Sequence, residues 1–108
     1  MLEVNGNVSI VRVKETKLTY PLLHSFFTEV SRYVEAGARK VIIDLEAVAY
    51  IDSASIGCLM DIHRLLRERD GVVKLSGPQP RVETMLRLPG VHKIVEIHGK
   101  EAEALAAF

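Results

Sequence analysis

The residues best suited to chemistry lie in one segment, between positions 48 and 57. It reads Val-Ala-Tyr-Ile-Asp-Ser-Ala-Ser-Ile-Gly and follows the apolar run at 41–45. The apolar run predicts a buried strand and the residues after it predict a helix, so Ser53 is expected at the start of that helix. Unpaired N–H groups and the helix dipole favour negative charge at such a position. The same residues also fit a simpler role, in which Asp52 or Ser53 is only the helix N-cap.

A helical wheel of the segment after Ser53 predicts a partner-binding surface beside the serine. Ile56 and Met60 fall on the side of Ser53 and outside the arc expected to be buried, which contains Cys58, Leu59, Ile62, Leu65 and Leu66. Apolar side chains rimmed by arginine are typical of docking surfaces. The expected partner-binding residues on this helix are Asp52, Ser53, Ala54, Ile56, Gly57, Met60 and Arg64.

The chain lacks the sequence signatures of common catalytic and cofactor sites. It has no phosphate-binding G-x-x-x-x-G-K-[ST], no dinucleotide-binding G-x-G-x-x-G and no G-x-S-x-G nucleophile elbow. The four histidines form no ligand-like pair, and the single cysteine, Cys58, excludes an internal disulfide and is expected to face the core. We therefore predict a non-enzyme with no catalytic residue, no cofactor and no metal. The alternative is an enzyme that uses Ser53 as nucleophile, supported by Asp44 or His63.

The elements that must position this segment follow from the periodicity of apolar residues. Asn5-Gly6 between two alternating runs predicts a hairpin with a type I′ turn. The predicted helices begin near Pro21, at Ser53, near Val82 and at about residue 100. Strands are predicted at 2–4, 8–13, 40–45, 72–76 and 94–97. Helical crossovers between short apolar strands predict an α/β fold: a mixed, mostly parallel β-sheet with an N-terminal antiparallel hairpin and helices packed against it.

The length and charge of the chain predict a single globular domain and argue against binding to nucleic acid. The 108 residues are 48% hydrophobic and 26% charged, which predicts a single domain over 1–108 with a real core. Fourteen basic residues balance fourteen acidic ones, which argues against a nucleic-acid partner because such binding needs a basic surplus. No apolar run reaches the length of a membrane span, and the N-terminal residues lack the pattern of a signal peptide. We expect a cytoplasmic protein with no membrane insertion.

The sequence resembles a STAS domain, the fold of bacterial anti-sigma factor antagonists, over nearly its whole length. The resemblance rests on the strand that ends in Asp44-Leu45, then on Ile51-Asp52-Ser53 and Ile56-Gly57. The family pattern is a hydrophobic strand ending in Asp-Leu, a few residues, and then Asp-Ser-x-x-hydrophobic-Gly. The order of helices and strands agrees with a STAS-type fold.

The resemblance implies a switch in which the matching serine, Ser53, is phosphorylated by an anti-sigma factor that is a serine kinase. The unphosphorylated form would bind that kinase, and a phosphatase would restore it. Ser55 stands where many members have Gly, which makes it the second candidate for phosphorylation. The loop before the first helix lacks the family's Gly-x-Leu-Asp, so we expect Thr19 to cap that helix and to contact the partner. The alternative function is a structural STAS subunit of a stress-signalling or lipid-transport complex. The sequence leaves the oligomeric state open.

Overall fold

A five-stranded sheet forms the centre of the protein. The structure, a computed structural model, describes residues 2–108. The strands lie in the order β1-β2-β4-β6-β7, with bounds β1 Leu2–Asn5, β2 Val8–Arg12, β4 Lys40–Asp44, β6 Val72–Ser76 and β7 Ile97–His98. Only β1 and β2 pair antiparallel, and the other neighbours are parallel. The prediction of a mixed, mostly parallel sheet with an antiparallel hairpin is therefore confirmed.

Helices cover both faces of this sheet. Three of them, α1 Tyr20–Glu35, α2 Ser53–Arg67 and α3 Pro80–Arg87, bury their apolar sides in the larger core cluster. The short α4, Glu101–Ala106, covers the opposite face, where Ala104 packs against Val8, Ile10 and Ile42. Side chains of a strand alternate between faces, which is why Val41 and Ile43 join the first cluster and Ile42 joins the second. No helix in the described part of the chain is long and apolar enough to cross a membrane.

Two sequence predictions about local structure need correction. The hairpin turn is formed by Gly6 and Asn7 rather than by Asn5 and Gly6, and only Gly6 has a positive φ (62°). Glycine at the first central position belongs to a type II′ turn, because a type I′ turn needs positive φ at both positions.

The predicted strand at 94–97 is largely wrong. A 3₁₀ helix, Val91–Lys93, follows Gly90, and the N–H of Val95 then bonds the carbonyl of Val91 at 2.9 Å. Val91 and Val95 are both buried, so a helical turn brings them onto the core. Pairing starts only at Ile97, opposite Leu75 of β6.

A second, two-stranded sheet positions the candidate site. Its strands are β3, Lys17–Leu18, and β5, Tyr50–Ile51, and they pair parallel with Lys17 opposite Tyr50 and Leu18 opposite Ile51. Leu18 and Ile51 are buried at 1% and 0% exposure. This pair joins the entry of α1 to the entry of α2, so the first residues of both helices lie side by side. The sequence did not predict this sheet, because two-residue strands leave no periodic pattern.

Candidate functional site

Ser53 lies exposed at the first position of α2. The buried Ile51 anchors the chain just before it, and Asp52 then adopts an extended conformation (φ −114°, ψ 177°) as the N-cap residue. The chain turns into the helix at Ser53, whose side chain points into solvent. Within residues 2–108 the Ser53 hydroxyl makes no hydrogen bond. The predicted position of Ser53 at the start of this helix is confirmed.

A capping box between Asp52 and Ser55 closes the N-terminus of α2. Asp52 Oδ1 accepts a hydrogen bond from the N–H of Ser55 at 2.8 Å, and Ser55 Oγ accepts one from the N–H of Asp52 at 3.0 Å. Ser55 Oγ also donates to the carbonyl of Asp52 at 2.7 Å. Ser55 is fully buried, so its hydroxyl is both inaccessible and engaged. The two serines thus have separate roles: Ser55 holds the helix start and Ser53 is left free.

Asp52 caps α1 as well as α2. Its second carboxylate oxygen, Oδ2, accepts a hydrogen bond from the N–H of Tyr20 at 3.0 Å. The hydrogen bond from the Ser55 N–H is the main cause of a lowered pKa for Asp52, and the Tyr20 N–H adds to it. Thr19 occupies the N-cap position of α1 but makes no side-chain cap hydrogen bond. Thr19 is thus the N-cap residue as expected, but its side chain does not cap the helix, because Pro21 has no N–H and the N–H of Leu22 bonds the Thr19 carbonyl at 2.9 Å.

The predicted partner-binding residues of α2 divide between two sides of the helix. Ile56 and Met60 are half-buried and pack against the core cluster. Ala54 and Gly57 line a groove of about 490 Å³ between α1 and α2, together with Tyr20, Pro21, Leu23, His24, Phe27, Cys58 and Asp61. Arg64 is exposed and forms an ion pair with Asp61. The predicted residues of α2 therefore do not form a single stripe.

Cys58 lies beneath this surface. It is 5% exposed and belongs to the core cluster, so the prediction that it faces the core is confirmed. Burial raises the pKa of its thiol to about 11, and the nearby charge of Asp61 adds to the shift. The thiol is thus protonated at neutral pH, which makes it a packing group rather than a nucleophile.

The side chains proposed as supports for a nucleophilic Ser53 lie elsewhere. His63 follows ten positions later on α2, which is about 15 Å along the axis at the usual rise per residue. Asp44 is buried at the end of β4, where its Oδ1 accepts a hydrogen bond from the N–H of Glu46 at 2.9 Å. Residues 2–108 contain no group of three or more His, Cys, Asp or Glu side chains placed to hold a metal ion. What the site offers is an exposed, unbonded hydroxyl between two helix starts.

Sequence reasoning missed three residues next to Ser53. Tyr20 is 76% exposed at the start of α1. Tyr50 of β5 lies under the guanidinium of Arg81, whose central carbon is 5.3 Å from the ring centroid. Tyr50 belongs to the segment 48–57 but was given no role from the sequence, and Arg81 is 31 residues away from it along the chain. Long-range contacts place these residues: Asp52 accepts a hydrogen bond from the N–H of Tyr20, and Arg81 of α3 packs over Tyr50.

Comparison with known proteins identifies the class to which this fold and site belong. The chain belongs to the STAS domain family, whose model matches residues 1–104. Among its relatives, the anti-sigma-B factor antagonist of Listeria monocytogenes is 33% identical over 61 residues, which are 56% of this chain and 54% of that protein. A TM1081 homologue from Thermotoga neapolitana is 32% identical over 73 residues, 68% of this chain and 65% of that protein. The chain thus spans less than two thirds of the length of these curated relatives.

Solved structures agree with this assignment. The crystal structure of TM1081 from Thermotoga maritima superposes with a TM-score of 0.90 at 27% identity, covering 99% of this chain and 92% of that chain. The phosphorylated form of the Bacillus cell fate determinant SpoIIAA superposes with a TM-score of 0.75 and covers 99% and 96%. Its identity of 21% means that it supports the fold alone. The STAS-type fold expected from the sequence is confirmed, and the family includes proteins named anti-sigma factor antagonists.

Proposed function

We propose that this protein is an anti-sigma factor antagonist whose binding is controlled by phosphorylation of Ser53. The kinase is the anti-sigma factor itself, which binds the unphosphorylated form and releases the phosphorylated one. A phosphatase restores the binding form, and the cycle takes place in the cytoplasm. The observation that carries the proposal is that Ser53 is exposed and unbonded, while Asp52 and Ser55 alone cap the helix.

The N-terminus of α2 is already capped when Ser53 is unmodified, and it can also accommodate a phosphoserine. The capping box satisfies the Ser55 N–H, so the helix keeps its cap whatever Ser53 carries. The first N–H groups of a helix have no intrahelical partner, and together with the helix dipole they favour an anion at this end. A phosphate adds about −1.5 to −2 charges at neutral pH. Phosphorylation is therefore expected to leave the fold intact and to act on the interface.

The surroundings of Ser53 explain why a phosphate would weaken binding. Ile56 and Met60 on one side of α2, and Ala54 and Gly57 on the other, give a partner apolar and small surfaces next to a neutral hydroxyl. A dianion placed between them would lose water on binding and gain no matched cation from the apolar contacts. SpoIIAA, a protein of the same fold, has a phosphorylated form, so this fold is compatible with phosphorylation.

Mass spectrometry and calorimetry with the cognate anti-sigma factor test this proposal. With ATP present, the wild-type protein should gain one phosphate, and Ser53→Ala should gain none. Ser53→Ala should bind like wild type, whereas Ser53→Asp should bind at least tenfold more weakly, about 1.4 kcal/mol. Ser25→Asp, which adds the same charge to an exposed serine of α1, is the matched control and should keep wild-type affinity.

Three outcomes would overturn the proposed switch at Ser53. Equal affinity for wild type, Ser53→Ala and Ser53→Asp would mean that the hydroxyl lies outside the interface. A stable large homo-oligomer that gains no phosphate would favour the second function, a structural STAS subunit of a stress-signalling or lipid-transport complex. Phosphate that persists on Ser53→Ala would place the acceptor elsewhere, and the capping box would then have to open for Ser55 to react.

A further inference from the structure

A cleft of about 550 Å³ adjoins the start of α2 and has basic and hydroxyl groups along its walls. We call it the basic shelf, and its residues are Thr16, Lys17, Thr19, Ala49, Tyr50 and Arg81. Its last residues before the two helices are Tyr50, three residues before Ser53, and Thr19, one residue before Tyr20. A partner that covers Ser53 must therefore pass over or beside it.

The small sheet fixes the shelf in a single arrangement. Lys17 and Tyr50 are direct register partners of a parallel pair, and the residues after them, Leu18 and Ile51, are buried. Because side chains alternate along a strand, Lys17 and Tyr50 point outward together. Arg81 of α3 lies over the Tyr50 ring at 5.3 Å, which holds its guanidinium in place by a cation–π contact.

The two cations of the shelf have no acidic partner within residues 2–108. Neither Lys17 nor Arg81 forms an ion pair, a property that they share with seven other basic residues of the described chain, whereas Arg12, Arg64, Arg69, Lys74 and Arg87 each form one. The nearby carboxylate of Asp52 is taken up by the N–H groups of Ser55 and Tyr20. Arg81 also lies in the first turn of α3, where the helix dipole opposes a positive charge. The cation–π contact with Tyr50 offsets this cost in part and leaves the charge of Arg81 available to a binding partner.

We infer that the basic shelf binds an acidic segment of the partner protein and so helps to select which partner reaches Ser53. This inference rests on the proposed function, because it gives the chemistry of the partner at the same site. The guanidinium of Arg81 makes no hydrogen bond within residues 2–108, so its N–H groups can bind a carboxylate in a bidentate manner. Lys17 and the hydroxyls of Thr16 and Thr19 offer further donors along the cleft.

The charge of the shelf favours a protein over a nucleic acid. The chain as a whole has a formal net charge of zero, and the shelf contributes only two cations. Nucleic-acid affinity arises from many phosphate contacts and the counterions they release. Two cations and an aromatic ring match a short run of Glu or Asp side chains, for which one good bidentate pair gives specificity.

Titration of the purified protein with a fluorescein-labelled hexaglutamate peptide at low salt tests the shelf directly. We expect saturable binding, with amide shifts in ¹⁵N spectra concentrated at Lys17, Thr19, Tyr50 and Arg81. The double variant Lys17→Glu/Arg81→Glu should lose at least tenfold in affinity. The control Lys93→Glu/Lys100→Glu makes the same change in net charge on exposed residues outside the shelf and should change affinity less than twofold. All four residues are exposed, so both variants should fold, which a thermal melt checks.

Three results would overturn the inference. The first is equal loss of peptide affinity in the two double variants, and the second is shifts spread over all lysines. The third is a hexathymidine oligonucleotide that binds the shelf more tightly than the peptide, which would assign the shelf to a nucleic acid.

The complex with the anti-sigma factor separates this inference from the proposed function. If Ser53 is phosphorylated and controls binding, but Lys17→Glu/Arg81→Glu binds the kinase as wild type does, the shelf inference fails and the switch stands. If the peptide binds the shelf but Ser53 is never phosphorylated, the switch fails and the acidic ligand stands. The acidic-ligand inference and the Ser53 switch are both supported if Ser53 controls binding, Lys17→Glu/Arg81→Glu loses at least tenfold in affinity for the kinase, and binding of the wild-type protein weakens with salt.

Discussion

The carboxylate of Asp52 accepts a hydrogen bond from the backbone N–H of Tyr20, 32 residues away along the chain, at 3.0 Å. The same carboxylate caps α2 through the N–H of Ser55 at 2.8 Å. One side chain therefore holds the N-termini of two helices against each other. Asp52 is thus a structural residue that precedes the candidate switch Ser53, and its position fixes where both helices present their first turns.

Loss of this shared cap should destabilise the protein more than loss of an ordinary cap. A single N-cap contributes about 1 kcal/mol. Asp52→Ala removes two caps at once, so we expect the free energy of unfolding to fall by about 2 kcal/mol in urea denaturation. Asp52→Asn keeps one carbonyl oxygen, which serves one N–H group, and should cost about half as much. A loss below about 0.5 kcal/mol for Asp52→Ala would contradict the double cap.

The difference in unfolding free energy between the wild-type protein and Asp52→Ala should depend on pH. The pKa of Asp52 is lowered in the folded state, chiefly by the hydrogen bond from the Ser55 N–H. A group with a depressed folded pKa stabilises the protein above its unfolded pKa, about 3.9, and loses this contribution as the pH falls through the folded pKa. The difference in unfolding free energy between wild type and Asp52→Ala should therefore narrow in acid. A difference that stayed constant down to the folded pKa would show that the carboxylate charge is not involved.

Removal of the hydroxyl should cost the protein much more stability at Ser55 than at Ser53. Ser55→Ala removes a buried hydroxyl that bonds both the N–H and the carbonyl of Asp52, and we expect a loss of about 1–2 kcal/mol. Ser53→Ala removes an exposed, unbonded hydroxyl and should change stability by less than about 0.5 kcal/mol. Chemical denaturation of the two variants side by side provides the measurement. A larger loss for Ser53→Ala would mean that Ser53, not Ser55, supports the cap.

Gly57 offers a test that separates stability from binding. A methyl group at Gly57 would meet no atom within 4 Å apart from its chain neighbours and the backbone of its own helix. Glycine inside a helix is less stable than alanine by about 0.5–1 kcal/mol. Gly57→Ala should therefore raise the free energy of unfolding by that amount. The methyl group would project into the groove between α1 and α2, so we expect weaker binding of the anti-sigma factor despite the gain in stability.

Gly71→Ala is the control for this test. A Cβ at Gly71 would lie 2.7 Å from the carbonyl oxygen of Arg39 and 2.8 Å from a methyl of Leu66, so this variant should lose stability. Gly71 lies outside the groove, and the binding that remains in its folded fraction should be unchanged. Unchanged partner affinity in Gly57→Ala would remove the groove from the interface.

The sequence predicted the features that depend on local pattern. The apolar run before Asp44 and the helical spacing after Ser53 were enough to place Ser53 at a helix start, because these patterns depend on neighbouring residues. The capping role of Asp52 toward its own helix was one of the alternatives for the same reason. Its contact with Tyr20 was not predictable, because it depends on the parallel pairing of β3 with β5.

Long-range packing also decided the elements that the sequence misassigned. Val91 and Val95 have an apolar spacing that fits either a strand or a helical turn. The buried positions of both side chains, after the left-handed Gly90, select the turn. The basic shelf could not be predicted from the sequence for a similar reason, because Lys17, Tyr50 and Arg81 come from three separate parts of the chain. Short strands and surfaces assembled from several elements carry no signal within a sequence window.

A buried acidic group at the far end of β4 is the strongest candidate for a stabilising substitution. Asp44 is 6% exposed, and its Oδ2 lies 4.0 Å from Arg12 Nε. Arg12 directs its guanidinium to Glu101 instead, with contacts of 3.0 Å and 2.7 Å. Burial raises the pKa of Asp44, and the neighbouring Glu101 adds to the shift, so ionised Asp44 opposes folding.

Asp44→Asn should therefore raise the free energy of unfolding at neutral pH, by about 0.5–2 kcal/mol, the usual range for one stabilising substitution. The Asn carbonyl can still accept from the N–H of Glu46, and its amide can donate to Glu101 in place of a carboxyl proton. A group with a raised folded pKa contributes its stability below its unfolded pKa and loses it as the pH rises through the folded pKa. The stability gained by Asp44→Asn should thus vanish below about pH 4, and urea denaturation at neutral pH and below pH 4 measures it.

Asp61→Asn, which changes an exposed acid on α2, is the control and should change stability by less than about 0.5 kcal/mol at either pH. A loss of stability in Asp44→Asn at neutral pH would mean that attraction to Arg12 outweighs the cost of burying the charge.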